Sequence, residues 1–462
     1  DAIMEAYSEN SDSFSGSGTG LLPDLEELQT ANIPEAISGL RIGRRVNGYL
    51  GRLTYNYDNK YFFESSFRRD GSSQFGQDFR WGSFYSVGGS WIVSKENFLS
   101  DSSWLDNLKL RASYGELGNN AGIGFFPYQF VFVGANPGNT VISPVEGNPV
   151  AIPPSSLPDP SLQWEKTATT NFGVDFSIFQ GALSGSVEYY ERESIDLLYS
   201  VPAAYSTGAT DIFTNNGAVQ NSGLEVTLNS SIINTEDFSW SVGGNASFQK
   251  NKITKLPQDQ FVNGSKLWKE GNSLFEFYLR EWAGVNPATG DALWYEDVTD
   301  ANGNVTGRTV TNVYADATRY ETGKESLPDI QGGFNTNFRY KNFDISAMFN
   351  YSFGAYLLDT DYSGLIGNFD SNGAPAHPDN LSAWSQPGDV TDFPRLTTAN
   401  VEFIQSSDRW LFKNDYVRLR ALTIGYNLSD EALKGTGLKK VRVYFQGDNL
   451  ITWQSHFGID PE

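Results

Sequence analysis

Phe343-Asp344-Ile345-Ser346-Ala347-Met348-Phe349-Asn350-Tyr351-Ser352-Phe353 decides how the rest of the chain reads. Phe343, Ile345, Ala347, Phe349, Tyr351 and Phe353 fall on one face of an extended chain; Asp344, Ser346, Asn350 and Ser352 fall on the other. Side chains of a strand point alternately to opposite faces, so this is a period-two signal. It recurs outward from this stretch. Leu108, Leu110, Ala112 and Tyr114 oppose Lys109, Arg111 and Ser113; Phe172, Val174, Phe176 and Ile178 oppose Asn171, Asp175 and Ser177. Trp240, Val242, Ala246 and Phe248 oppose Ser239, Ser241, Asn245, Ser247 and Gln249, and Val441, Val443 and Phe445 oppose Arg442 and Gln446.

A half-buried soluble strand alternates too, and two features separate the cases. The runs are about 9–12 residues long, which suits a tilted membrane strand. Their polar faces carry bare charges strand after strand, which a wet lumen tolerates and a dry sandwich core does not. One strand breaks phase: Arg418 and Arg420 share parity with Leu422, Ile424 and Tyr426, which predicts a β-bulge near Ala421. The expected fold class is therefore all-β, a transmembrane antiparallel β-barrel.

Composition narrows the chemistry. The 462 residues include no cysteine and two histidines, so disulfides, thiolate sites and a histidine-rich metal centre are excluded. His377 and His456 read as ordinary loop residues. A net charge of −22 excludes a nucleic-acid partner. No apolar run is long enough for a membrane helix, and a mean hydropathy of −0.39 is compatible with a barrel, which needs only alternate residues to be apolar. The acidic start Asp1-Ala2-Ile3-Met4-Glu5 does not read as a signal peptide, and the chain reads as a piece of a larger fold.

Short and long connections alternate. Asp58-Asn59, Gln180-Gly181, Thr235-Glu236-Asp237 and Lys341-Asn342 are tight; 70–82, 117–164, 200–222, 250–273, 297–328 and 354–415 are long. Short periplasmic turns and long extracellular loops are the asymmetry of an outer-membrane barrel. This assignment predicts about fourteen strands, two of them within 274–296, with residues 1–38 as an extracellular loop.

Several runs resemble SusC/RagA-type TonB-dependent transporters. They are Ser66-Phe67-Arg68-Arg69-Asp70-Gly71-Ser72-Ser73-Gln74-Phe75-Gly76 with Arg80-Trp81-Gly82, and Leu108-Lys109-Leu110-Arg111-Ala112-Ser113-Tyr114-Gly115-Glu116-Leu117-Gly118-Asn119. Leu162-Gln163-Trp164-Glu165-Lys166-Thr167, Asn216-Gly217-Ala218-Val219-Gln220-Asn221-Ser222-Gly223-Leu224-Glu225 and Tyr416-Val417-Arg418-Leu419-Arg420 continue the series in order. Gln74 stands where that family usually has Arg. The resemblance implies a barrel of about 22 strands, of which residues 1–462 supply part, with the plug domain and the last strand outside this chain. It further implies TonB-driven import across a bacterial outer membrane in a multi-pass barrel. The implied partners are a SusD-like surface lipoprotein lid, the TonB complex, outer-membrane lipid and an oligosaccharide or oligopeptide substrate, with a dimer of transporter–lipoprotein pairs as the assembly. No cofactor, metal or enzymatic activity is expected. The rival readings are a lidless siderophore or cobalamin receptor and a secreted glycan-binding β-protein.

Candidate residues follow. Arg52, Arg68, Lys109, Arg111, Glu188 and Arg192 are expected to line the lumen. Arg69, Asp70, Gly71, Trp81 and Gly82 are motif residues with structural roles: Phe67 ends an outward row, Asp-Gly-Ser-Ser turns the chain, and the arginines pair with carboxylates such as Glu64. Glu191 and Glu193 share a face as glycosidase carboxylates would, but such pairs also line wet barrels. Asp297–Asn304 fails EF-hand spacing and reads as an Asn-Gly turn. Aromatic loop residues suit sugar rings or peptide side chains. Trp384, Trp268, Trp410 and Tyr362 are the ligand or partner candidates, and Trp282 and Trp294 are expected at the girdle or a strand end.

Overall fold

The computed structural model describes residues 1–21, 31–124, 127–129, 133–134, 151–152, 156–207, 209–367, 375–397, 402–458 and 460–461. One long sheet takes about half of them. Its strands are β1 (Ala2–Thr19), β2 (Ile33–Tyr57), β3 (Tyr61–Ser72), β4 (Trp81–Ile92), β5 (Leu105–Asn119), β6 (Glu165–Ile178), β7 (Leu183–Pro202), β8 (Asp211–Asn234), β9 (Phe238–Lys255), β10 (Ile330–Tyr340), β11 (Phe343–Phe353), β12 (Tyr416–Asn427) and β13 (Arg442–Gln454). They pair in chain order, and Ser156–Leu157 adds a short parallel pairing to β8. By contacts the chain divides into two units: Asp1–Trp91 with Arg111–Phe172 and Arg192–Val219, and Ile92–Leu110 with Gly173–Glu191 and Gln220–Glu462.

The register turns the alternation into faces. Across β9 to β13, Trp240, Phe338, Ile345, Ile424 and Phe445 form one apolar row. Ser241, Asn337, Ser346, Thr423 and Gln446 form a polar row on the opposite face, where Ser346 Oγ donates to Asn337 Oδ1 at 2.7 Å. The apolar face stays exposed: Phe334, Phe343 and Phe353 are all accessible. That is what lipid-facing residues require and a soluble sheet avoids. The bulge falls where the phase break put it. Met348 faces Ala421 and Phe349 faces Leu419, leaving Arg420 as the extra residue. The partner strand shifts at the same place, where Asn449 takes φ +52° and its side chain accepts from Arg420 at 2.8 Å. Arg418 is thereby buried and paired with Asp460.

The tight turns also match. Asp58 and Asn59 take φ of 55° and 50°, the left-handed pair that a two-residue hairpin turn needs. Two expectations fail. Within the expected loop 1–38, Ala2–Thr19 is a strand, because β1 pairs with β2 along its length, with Arg41–Asp12 at 2.7 Å and Arg44–Glu9 at 3.0 Å across the pair. Its Ser, Gly and acid content mimics a loop, but backbone pairing and cross-strand charges do the work of apolar alternation. Residues 274–296 do not span either. They form small sheets with Lys266–Lys269, Val305–Thr311 and Arg319–Glu325; among the described residues the main sheet has thirteen strands in its path, and Ser156–Leu157 beside them makes fourteen. Several strands overshoot a membrane: β2 has 25 residues and β8 has 24, against about 10 for a tilted spanning strand.

Candidate functional site

In the second unit, the described residues of the connections 256–329 and 354–415 fold into a loop assembly with its own core. Short strands Gln260–Asn263, Lys266–Lys269, Glu276–Arg280 and Arg319–Glu325 make one sheet, and Trp282–Val285, Ala292–Thr299 and Val305–Thr311 another. Helix α1 (Thr360–Gly367) and the pair Tyr356–Leu358 with Leu411–Lys413 complete it. Trp294 and Trp410 are 1% and 2% exposed and share a cluster with Ala317, Ile366 and Phe403. Burying such rings is the main force that keeps long loops in one shape.

Cations are threaded among the rings. Arg409 lies over Trp282 at 4.3 Å, Trp410 at 4.7 Å and Phe393 at 5.1 Å; burial pulls its guanidinium down to about 10. Arg308 sits between Tyr295 and Tyr320, at 4.3 and 4.5 Å, and pairs with Glu281 at 2.8 Å. Lys266 lies 3.1 Å over the Phe277 ring and donates to the Phe275 carbonyl; burial lowers its ammonium to about 8. Asp408 accepts from the Trp282 amide at 2.7 Å, and burial raises its carboxyl. These are positioning contacts, with charge desolvated inside a loop body.

The four aromatic candidates are placed unequally. Trp410 is a correction: its buried ring donates from Nε1 to the Phe403 carbonyl at 3.2 Å and offers no face to a ligand. Tyr362 is half-buried, packs edge-on against Trp410, His377 and Phe457, and its hydroxyl donates to Asp379. Burial and that carboxylate raise its phenol pKa. Trp384 is half-buried; its ring lies over Gly290 and its Nε1 donates to the Pro287 carbonyl at 3.0 Å. Leu381 and Val390, close to Trp384 in sequence, are each 93% exposed. Trp268 packs against Phe261, ring centroids 5.2 Å apart. Trp282 and Trp294 belong to the loop core and not to a girdle, because their strand sits in a small sheet outside the main one.

On the main sheet the charges do what their face dictates. Arg52 pairs with Glu64 at 2.9 Å; Arg68 pairs with Asp70 at 2.6 Å and Glu5 at 3.1 Å. Arg111 lines a concave patch of about 830 Å³ on the polar face of the first unit, with Thr54, Glu64, Ser86 and Ser113. Lys109 and Glu188 are half-buried and Arg192 is exposed; Val187 and Tyr189, beside Glu188, are exposed on the opposite face. The expectation that both motif arginines pair with carboxylates is corrected for Arg69. It opposes Tyr49 across the ladder, faces outward and lies 5.5 Å over the Trp81 ring. The expected turn at Asp70-Gly71-Ser72 is still strand, with Asp70 buried. Gly71 lies under Trp81, where a Cβ would meet the ring at 2.8 Å, and Gly82 leaves room for Phe84 and Trp164. Trp164 donates to the Arg80 carbonyl at 2.9 Å, within the cluster of Phe75, Phe84, Ile123 and Leu162. Asp300 accepts from the Asn302 and Asn304 amides at 2.9 Å, the Asn-Gly turn that the sequence predicts.

Sequence reasoning missed one pair. His456 is no ordinary loop residue: its Nε2 lies 2.7 Å from Asp359, both are nearly sealed from solvent, and its ring stacks on Phe412 at 4.2 Å. The partners lie 97 residues apart, and no local pattern in the sequence connects them.

Residues 7–351 match the family described as TonB dependent receptor-like, beta-barrel. This chain belongs to that family. Its membership accounts for the exposed apolar face and the charged opposite face, and it is a family of receptors and transporters, not of enzymes. The barrel is 33% identical over 427 residues to TonB-dependent receptor P3 of Formosa agariphila, covering 89% of this chain and 41% of that protein. It is 30% identical over 446 residues to TonB-dependent receptor SusC of Bacteroides thetaiotaomicron, covering 90% of this chain and 41% of that one. Among solved structures it superposes on the RagAB peptide importer in its closed-closed state with a TM-score of 0.80 and 28% identity, over 100% of this chain and 50% of that chain. The chain thus spans half, or less, of the length of these relatives.

Proposed function

We propose that this barrel is part of an outer-membrane importer that takes up oligomeric nutrients, glycans or oligopeptides, driven by TonB and working with a SusD-like surface lipoprotein. The observation that carries the reading is the loop assembly of the second unit with its own tryptophan core, joined to strands of that unit with one exposed apolar face and an opposite face that carries polar residues and the Asp344–Arg442 pair. Loops as long as 256–329 and 354–415 are too large to be idle. A preorganised loop body suits a partner that must dock repeatedly in one geometry, since little ordering remains to oppose binding. The exposed Leu381 and Val390 would meet the lipoprotein, and the polar face would pass a hydrated substrate. RagAB, on which this chain superposes, is described as a peptide importer, which supports an oligomeric cargo.

The test is uptake by cells that carry or lack the full-length protein, offered fluorescent oligosaccharides and oligopeptides separately, with and without a protonophore. Energy-dependent loss of uptake of one class on deletion supports the reading and names the cargo. Unchanged uptake of both classes, with loss of an iron chelate instead, would favour the lidless-receptor reading.

A further inference from the structure

On the outward face of β2, β3 and β4 the lower rows end in Tyr57, Tyr61 and Trp91, with Tyr57–Tyr61 and Tyr61–Trp91 rings 6.3 and 6.2 Å apart. Above them run Tyr55 with Phe63 and Phe67 with Tyr85, all exposed. The upper rows are Tyr49, Trp81 and Arg69, the first two stacked at 6.1 Å. Ten residues of tilted strand from Tyr61 to Gly71 rise about 25 Å, the height of the apolar band of an outer-membrane barrel. Tyr61 and Trp81 therefore mark the two membrane interfaces. The tight turn at Asp58-Asn59 is at the lower one, so Trp81 lies at the outer leaflet.

A cation stands at that level. Arg69 is exposed, lies against the Trp81 ring, and pairs with no carboxylate among the described residues. Arg45 stands beyond it on the same outward face, its backbone bonded to Ser73, also without a carboxylate among the described residues. The outward acids are engaged elsewhere: Asp12 by Arg41 and Glu116 by Tyr114. In a chain of net charge −22 two unneutralised arginines at a lipid interface are an expense unless an anion meets them there. The inward arginines of the same strands, Arg52 and Arg68, have carboxylates at 2.9 and 2.6 Å, so the contrast is between faces and not between strands.

We propose that Arg69, seated on the Trp81 ring, and Arg45, further along the same face, hold the phosphorylated headgroup of an outer-leaflet lipid against the outside of the sheet. The inference rests on the outer-membrane reading above. The guanidinium fork matches phosphate oxygens bidentately. The tryptophan fixes one arginine in place and packs on the start of the acyl chains. Gly71 makes the arrangement possible by letting the indole lie flat. The lipid would then belong to the barrel as a fixed part of its rim.

The test uses the full-length protein in neutral detergent, titrated with phosphorylated lipid A, with the same lipid stripped of phosphate, and with inorganic phosphate. Phosphorylated lipid A binds; Arg69→Gln weakens it about fivefold and the Arg45→Gln, Arg69→Gln double about 25-fold, one interfacial cation being worth about 1 kcal/mol. Arg52→Gln, on the other face, leaves it unchanged. Equal binding of the stripped lipid, or of inorganic phosphate as tightly as the lipid, overturns the proposal, as does an unaltered affinity in the double variant. If Arg69→Gln does not fold, Arg45→Gln carries the same comparison, since its side chain packs on no ring among the described residues. A protein that stays in the membrane but ignores phosphate sinks this inference alone; one that is soluble without detergent sinks the barrel reading with it.

Discussion

His456 Nε2 lies 2.7 Å from the Asp359 carboxylate, and this contact ties the end of β13 to the start of the loop 354–415. Asp359 also accepts from the Tyr362 amide at 2.7 Å, at the first turn of α1. His456 Nδ1 is buried with no hydrogen-bond partner among the described residues, so the carboxylate is the ring's main polar anchor there. Removing one member of a buried pair strands the other in a dry site. Asp359→Ala should therefore lower the free energy of local opening of 356–367 by about 3 kcal/mol, read by hydrogen exchange. Asp359→Asn keeps an acceptor and should cost clearly less. Equal protection in Asp359→Ala and the parent would mean that the pair holds nothing.

The indole of Trp81 leaves no room above Gly71. Gly71→Ala should push the ring off its seat and cost about 1–3 kcal/mol in thermal stability, the usual penalty of overpacking. The cost should shrink when Trp81→Ala is made in the same chain, because the clash then disappears. Additive losses would show that the two residues do not share the contact.

Lys266 titrates where few lysines do. Burial lowers its ammonium from the usual value to about 8. The folded pKa lies below the unfolded one, so the cost of burying the charge is fully present below pH 8. It is relieved as pH rises through 8 toward the unfolded pKa. Protection of 260–280 against a protease tolerant of high pH should therefore increase between pH 7.5 and about pH 10. In Lys266→Met this rise should vanish. A rise that persists in the variant would place its source elsewhere.

Lumenal ion pairs should matter little for stability. Arg52–Glu64 spans two half-exposed side chains in water. Glu64→Gln should change the melting free energy by less than about 1 kcal/mol. A loss of several kcal/mol would mean that the polar face is drier than a lumen.

The parts of the fold legible in the sequence were those written in side-chain parity. Phe343–Phe353 reads as a strand because its faces differ at every step, and the bulge at Arg420 reads as the place where parity fails. Ala2–Thr19 did not, because its strand is held by backbone pairing and by Arg41 and Arg44 from the neighbour. Residues 274–296 misled because two short apolar runs around Asn286–Gly290 look like any hairpin; what takes them out of the main sheet is the packing of Trp294 on residues more than 70 positions away, such as Ile366 and Trp410. Aromatic loop residues were visible, but a tryptophan buried in a loop core and one offered to a ligand share one letter. Trp410 and Trp384 separate only through burial and partners.

The central claim is that the sheet is a wall of an outer-membrane barrel with the 256–329 and 354–415 loops outside the cell. These 462 residues contain no cysteine, so single cysteines can be placed at will. Asn302→Cys lies at an exposed loop tip and Glu236→Cys in the tight turn between β8 and β9. With a membrane-impermeant maleimide on intact cells, Asn302→Cys should be labelled at once and Glu236→Cys only after the outer membrane is opened. Labelling of both in intact cells, or of Glu236→Cys alone, would contradict the topology on which the import reading stands.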